Sequence, residues 1–306
     1  MTRSNASILP DAPTLADKND HIATLPVFWL RLLSGLLLLL LAAFTLHWVV
    51  NASATRSFET NVFLLALGIG VVAQLVDGAL GMAYGVTSNS LLLASGLPPA
   101  HATATVHIAE AFTTAASGLW HWRLGNIDKR IFKRLVIPGV VGGVVGVIVV
   151  TSIDGKILRP FISAYLLMMG LYIIYRAFRA IRPNAVPDGK LRPLAFIGGF
   201  ADSVGGGGWG PVVTTTMLGS GHDPRTTIGS VNAAEFFVTL ASGFSFVLLL
   251  GIQHWESVVG LAMGGLITAP FAAMLTSLIN RRVLMVIVGL VICGLSVWTI
   301  LRAFGL

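Results

Sequence analysis

Two stretches decide how this chain folds: Asp77-Gly-Ala-Leu-Gly-Met-Ala-Tyr-Gly85 and Asp202-Ser-Val-Gly-Gly-Gly-Gly-Trp-Gly-Pro211. Each cuts a long apolar run, 62–95 and 192–220, near its middle. At a rise of about 1.5 Å per residue the second piece of each run is too short to cross a bilayer. Clustered glycines permit left-handed dihedrals and leave backbone N–H groups uncovered. Irregular backbone of that kind is tolerated at membrane depth only where it meets protein or a water-filled cavity. Both runs are therefore predicted to be broken or re-entrant helices.

The two breaks belong to an internal repeat with an offset of 125 positions, which aligns without a gap. Asp77 meets Asp202, Gly81 meets Gly206, Gly85 meets Gly210 and Pro99 meets Pro224. Further on, Ala109-Glu110 meets Ala234-Glu235, Phe112 meets Phe237, Thr114 meets Thr239 and Ala116-Ser117-Gly118 meets Ala241-Ser242-Gly243. The expected organisation is a polar tail over 1–25, an extra transmembrane helix over 26–50, repeat 1 over 60–180 and repeat 2 over 190–304. Within the repeats, further spans are expected at 101–121, 132–152, 157–178, 226–251, 256–279 and 283–304, for seven to nine crossings in all.

Composition agrees with a chain embedded in lipid. Of 306 residues, 55% are hydrophobic and 11% charged, and the mean hydropathy is +0.83. A soluble domain carries about 25% charged residues, so this chain cannot cover a water-facing surface. A water-soluble enzyme, a disulfide scaffold and a disordered chain are excluded; the single cysteine, Cys293, has no intramolecular partner. The formal charge of +7 does not indicate nucleic acid, because ten of the twenty basic residues sit in two short loops. These are Arg123, Lys129, Arg130, Lys133 and Arg134, then Arg176, Arg179, Arg182, Lys190 and Arg192. That bias marks cytoplasmic loops. The counterpart of the first, Leu248 to Gly260, has no Lys or Arg, so the two copies are expected to run through the membrane in opposite directions. The N-terminus is then cytoplasmic and the C-terminus lies on the other side. Trp29, Trp48, Trp120, Trp122, Trp255 and Trp298 fall near span ends, as interfacial anchors do, whereas Trp209 sits beside the glycine cluster.

The residues able to carry chemistry fall in two groups. The first surrounds the breaks: Gly81, Gly85, Ser88 and Asn89 in one copy, and Gly206, Gly207, Gly208, Trp209, Gly210, Thr214 and Thr215 in the other. Backbone N–H groups at a helix start favour an anion, and the hydroxyls can complete its hydrogen bonds without adding fixed charge. Alternatively, the hydroxyls bond to their own helix backbone. The second group is a polar stripe at helical spacing, His107, Glu110, Thr114 and Ser117, repeated as Asn232, Glu235, Thr239 and Ser242. A carboxylate at span depth costs at least about 2.5–3.5 kcal/mol on insertion scales, which makes Glu110 and Glu235 candidates for proton binding, with His107, Asp77 and Asp202 beside them. Alternatively, the two glutamates brace the broken helices, and the two aspartates cap the pieces that follow. No cofactor motif or firm metal-ligand spacing is present, yet a divalent cation held by the acids and histidines remains an alternative cargo, and a membrane enzyme acting on a lipid-linked substrate a more distant one.

The Asp-led glycine break, the Gly96-Leu-Pro-Pro-Ala100 turn and the Ser/Thr-rich span, all repeated once, resemble the TauE/SafE sulfite exporter family, the YfcA-like permeases. The resemblance covers about 60–304. The family's glycine-rich segment corresponds to Gly205 through Gly208, while the first copy keeps Gly78, Gly81 and Gly85. The resemblance implies an all-α polytopic permease of the inner membrane, built of inverted repeats. It implies a small sulfur-containing anion such as sulfite, sulfoacetate or another organosulfonate as substrate, moved in step with protons and without a cofactor. The partners expected are that anion, protons and the lipid bilayer, and the sequence does not fix an oligomeric state.

Overall fold

A computed structural model describes residues 59–179, 186–251, 253–275 and 280–305. The expected tail over 1–25 and helix over 26–50, with Trp29 and Trp48, lie outside the described residues. Within them the fold is all helical. Repeat 1 supplies α1 (Thr60–Leu80), α2 (Tyr84–Ala94), α3 (Pro99–Arg123), α4 (Lys129–Ser152) and α5 (Gly155–Ala177). Repeat 2 supplies α6 (Asp188–Gly205), a π-helical turn (Trp209–Thr214) that continues into α7 (Thr215–Gly219), then α8 (Pro224–Leu250), α9 (Trp255–Leu275) and α10 (Arg281–Ala303).

Local chemistry sets these boundaries, and sets them alike in both copies. α1 ends because Gly81 takes φ 72°, and α6 because Gly206 takes φ 68°, a left-handed conformation open to glycine. Their N–H groups close on the carbonyls of Asp77 and Asp202 at 2.6 and 2.7 Å. Pro99 and Pro224 open α3 and α8 at positions where a missing N–H costs nothing. Asp128 and Asp154 cap α4 and α5 with side-chain oxygens.

Small residues then fix which helices touch and in which direction. On α4, a Cβ at Gly139 would fall 2.9 Å from the Val238 side chain, and one at Gly143 2.6 Å from Ser242 Oγ, so α4 and α8 run parallel. Gly142 and Gly146 on α4 likewise meet Phe196 and Phe200 of α6 in ascending order. α6 and α8 therefore point the same way, and the piece between them must return: the break and α7 make a hairpin. In repeat 1, α1 lies along α9 with Phe63 against Gly260 and Leu67 against Gly264, again in parallel. Counterpart helices pair in the opposite sense. On α3, Gly118 faces Ala233 of α8 while Ile108 faces Gly243, and on α5, Leu167 and Ile174 face Cys293 and Gly289 of α10. Both counterpart pairs are antiparallel.

Five described helices are long and apolar enough to cross a membrane: α1, α4, α5, α8 and α10. α3 falls outside that group because its buried face carries Thr103, Thr105, His107, Glu110 and Thr114. Polarity in this molecule points inward. Ile137, Phe161 and Phe244 are each more than 60% exposed on the outer surface, which suits lipid and not water. Trp120, Trp122 and Trp298 are exposed as anchors should be, but Trp255 is buried, because it opens α9 facing the bundle and not the surface.

The first break carries one strained residue. Ala83 has φ 99°, the single non-glycine residue with positive φ among those described, at the position where repeat 2 has Gly208. Holding alanine there costs about 1–2 kcal/mol. Ala83→Gly is expected to raise the midpoint of thermal unfolding in detergent by a few degrees, corresponding to about 1 kcal/mol. A lowered midpoint would contradict this account of the break.

Candidate functional site

The two breaks meet. A Cβ on Gly85 would lie 2.7 Å from Gly207 Cα, and one on Gly210 would lie 3.0 Å from Met82 Cβ, so backbone packs on backbone where the hairpins cross. Asn89 of α2 donates from Nδ2 to the Gly205 carbonyl at 2.5 Å, and Tyr165 of α5 donates to the Gly207 carbonyl at 3.1 Å. Gly206 is pressed against the Asn89 side chain, which leaves no room for any larger residue.

Asp202 ends α6 and faces the turn that follows it. Its Oδ1 accepts from the Gly208 N–H at 2.6 Å and the Trp209 N–H at 3.1 Å. The same position in repeat 1 works the same way, with Asp77 Oδ1 accepting from the Tyr84 N–H at 3.2 Å. Two donors that the sequence assigns to an anion are thus already occupied by an aspartate in this structure. Trp209 is fully buried, lies against Gly139 of α4 and donates from its ring nitrogen to the Val231 carbonyl at 3.3 Å. Its indole packs the start of the turn in place.

The polar stripes of α3 and α8 face each other across this point. Thr114 and Thr239 donate to the carbonyls of Glu110 and Glu235, at 2.6 and 2.9 Å, and their own oxygens lie 3.4 Å apart. These two positions are counterparts in the sequence repeat, and the contact between them marks the midpoint of the two stripes. Asn232 donates to Ser117 at 2.8 Å on one side of it. On the other side the equivalent pair is His107 and Ser242, and there Ser203 bridges, 2.8 Å from Ser242 Oγ and 3.5 Å from His107 Nε2. His107 Nδ1 lies 3.0 Å from the Thr103 carbonyl, and Nε2 lies 3.2 Å from Asp202 Oδ2.

Glu110 is buried and its Oε2 has no hydrogen-bond partner. Asp202, Glu235 and Asp77 are within electrostatic reach of it, so four carboxyls, two buried and two half-buried, lie close together. They cannot all be ionised together without strong repulsion. Among the hydroxyls, Ser88 Oγ has no partner and Asn89 Oδ1 accepts nothing, although both residues are fully buried. Thr215 instead bonds the Gly210 carbonyl at 3.2 Å and approaches Met82 Sδ. Thr214 is buried beside it. Gly81 and Gly208 serve the backbone turns. Among the described residues no three His, Cys, Asp or Glu side chains gather as a metal site.

Three participants escaped the sequence reading. Tyr165 and Ser203 carry hydroxyls in otherwise apolar surroundings, a signal that was present, whereas Tyr84 reaches the Leu261 carbonyl, 177 positions away, which no local pattern reveals. Arg225, although exposed, donates to Asn126 Oδ1 at 2.5 Å and to the Leu124 carbonyl at 3.2 Å, tying α8 to the α3–α4 link.

Comparison with known proteins agrees with this architecture. The family model described as sulfite exporter TauE/SafE matches residues 65–299. The probable membrane transporter protein YtnM of Bacillus subtilis (strain 168) is 44% identical over 230 residues, covering 72% of this chain and 77% of that one. A probable membrane transporter protein of Haemophilus influenzae is 24% identical over 70% of this chain and 86% of its own length. The probable membrane transporter protein ORF9 of Sinorhizobium sp is 24% identical over 68% and 79%. No solved structure matches significantly. With its multi-pass helical fold and these relatives, the chain belongs to the sulfite exporter TauE/SafE family of membrane transporters.

Proposed function

We propose that this protein is a proton-linked permease of the inner membrane that carries a small sulfur-containing anion, such as sulfite, sulfoacetate or another organosulfonate. The observation that carries the reading is the crossing of two helical hairpins at Gly85 and Gly207, beside the buried Asp202, Glu110 and His107 and the half-buried Asp77 and Glu235. The family name supplies the sulfur anion. The breaks supply backbone N–H groups, and Ser88, Asn89, Thr214 and Thr215 supply side chains around them. An anion and an ionised carboxylate repel each other in a dry site, so protonation of the centre favours anion entry. Glu110 and Glu235, on the facing stripes of α3 and α8, pass protons between the two sides, with Asp77, Asp202 and His107 as their neighbours.

Antiparallel pairing of α3 with α8 and of α5 with α10 supports repeats of opposite orientation in the membrane. Inverted repeats with discontinuous helices place a site that each side can reach in turn. With the basic loops at 123–134 and 176–192 in the cytoplasm, the α1–α2 hairpin enters from the outer side and the α6–α7 hairpin from the inner side.

Two experiments test this. In proteoliposomes with a trapped pH dye, sulfite or sulfoacetate flux is expected to be accompanied by pH change. Glu110→Gln and Glu235→Gln are each expected to flatten the pH dependence of flux while anion binding persists; unchanged pH dependence in both variants would remove the glutamates from the mechanism. In a chain with Cys293 replaced, single cysteines at the exposed positions Lys129 and Gln253 are expected to label from opposite sides of the membrane. Labelling from one side would end the inverted-repeat reading.

A further inference from the structure

The Asp202 carboxylate is held unevenly. One oxygen takes two backbone N–H bonds, from Gly208 and Trp209, while the other accepts no hydrogen bond and stands 3.2 Å from His107 Nε2. His107 Nδ1 faces the Thr103 carbonyl, an oxygen that can only accept, so Nδ1 carries a hydrogen. Nε2 faces both this carboxylate oxygen and, at 3.5 Å, Ser203 Oγ. The Phe246 ring, 5.7 Å from the imidazole centre, closes the other side. Asp202 and His107 are both almost fully buried. The seat is therefore a dry place for two oxygens on one centre, made of two N–H donors and the His107 ring.

Repeat 1 has no such seat. Asp77 accepts from Tyr84 N–H, and the residue equivalent to His107 is Asn232, whose side chain is turned to Ser117. We propose that the seat filled by the Asp202 carboxylate, formed by the Gly208 and Trp209 N–H groups and the His107 ring, is where a small oxyanion binds. The displaced Asp202 takes up the proton that travels with the anion. Carboxylate and sulfonate oxygens make the same demand on these donors, so Asp202 acts as a tethered stand-in for the cargo. When a monovalent anion replaces it, one proton on Asp202 keeps the charge of the buried centre constant. The exchange is confined to the α6–α7 hairpin.

This inference rests on the transporter reading and deepens it. Other titratable groups near the seat are Glu110 on α3, Glu235 on α8 and Tyr165 on α5, with Asp77 on α1 and Tyr84 on α2 next to the glutamates. The full chain in detergent, weakly buffered with a pH dye, is mixed with methanesulfonate, sulfoacetate or formate, and binding is followed by thermal shift. Wild type is expected to take up one proton per anion, its apparent affinity weakening about tenfold per unit rise in pH. Asp202→Asn is expected to bind without proton uptake and with a flat pH profile. Glu110→Gln and Glu235→Gln are expected to keep the uptake, since they relay protons and do not exchange with the anion. His107→Asn, which repeats what stands at Asn232 and so should fold, is expected to weaken binding at least tenfold. Proton uptake that survives in folded Asp202→Asn, or undiminished binding in His107→Asn, would overturn the proposal, as would a wild type that binds none of the three anions. Formate bound with proton uptake while both sulfonates fail would support the seat and remove organosulfonates from the reading.

Discussion

A carboxylate at the centre of a bilayer must be given partners, and Asp202 is given a turn of backbone. Its bonds to the Gly208 and Trp209 N–H groups hold the end of α6 to the start of the next helical piece. Without them, two peptide groups and a charge would face a medium with nothing to offer, at several kcal/mol each. The break in the helix and the buried acid therefore require one another. The glycines that let the chain turn also let the second break, held by Asp77, come into backbone contact at Gly85. Most of the remaining architecture serves that crossing: α3 and α8 flank it with polar stripes, and α4 and α9 back the hairpins with glycine faces.

Symmetry explains the scaffold, and departures from symmetry point to the chemistry. The pairs Thr114/Thr239 and Glu110/Glu235 are counterparts in the repeat, and the capping aspartates repeat too. His107 against Asn232, and Gly208 against the strained Ala83, do not. In the proposed cycle the two hairpins respond differently to proton and anion. A single histidine, placed against one of two equivalent aspartates, is enough to give that difference.

Much of this was legible in the chain. Fixed spacing exposed the duplication, and Asp-led glycine clusters located both breaks to within a residue or two, because few sequences other than a turn tolerate such runs. Helical spacing placed His107, Glu110 and Thr114 on one face. The direction of the second piece was not legible: whether a broken helix continues or returns depends on α4 lying parallel to both α6 and α8, a matter of glycine-to-backbone contacts far apart in sequence. The sequence offered Asp202 either as a cap on the N–H groups that follow it or as a proton carrier, and the structure shows the cap in place. Tyr84 was hidden because its partner, the Leu261 carbonyl, lies 177 positions away.

The central claim is that proton and anion share one thermodynamic cycle at this centre. The most direct measurement is the zero-flux point in proteoliposomes, where an imposed pH gradient is balanced against an opposing sulfonate gradient with the membrane potential clamped. One proton per monovalent anion requires net flux to vanish when a tenfold sulfonate gradient opposes about one pH unit, and to be indifferent to voltage. A balance point that ignores the pH gradient would contradict the account.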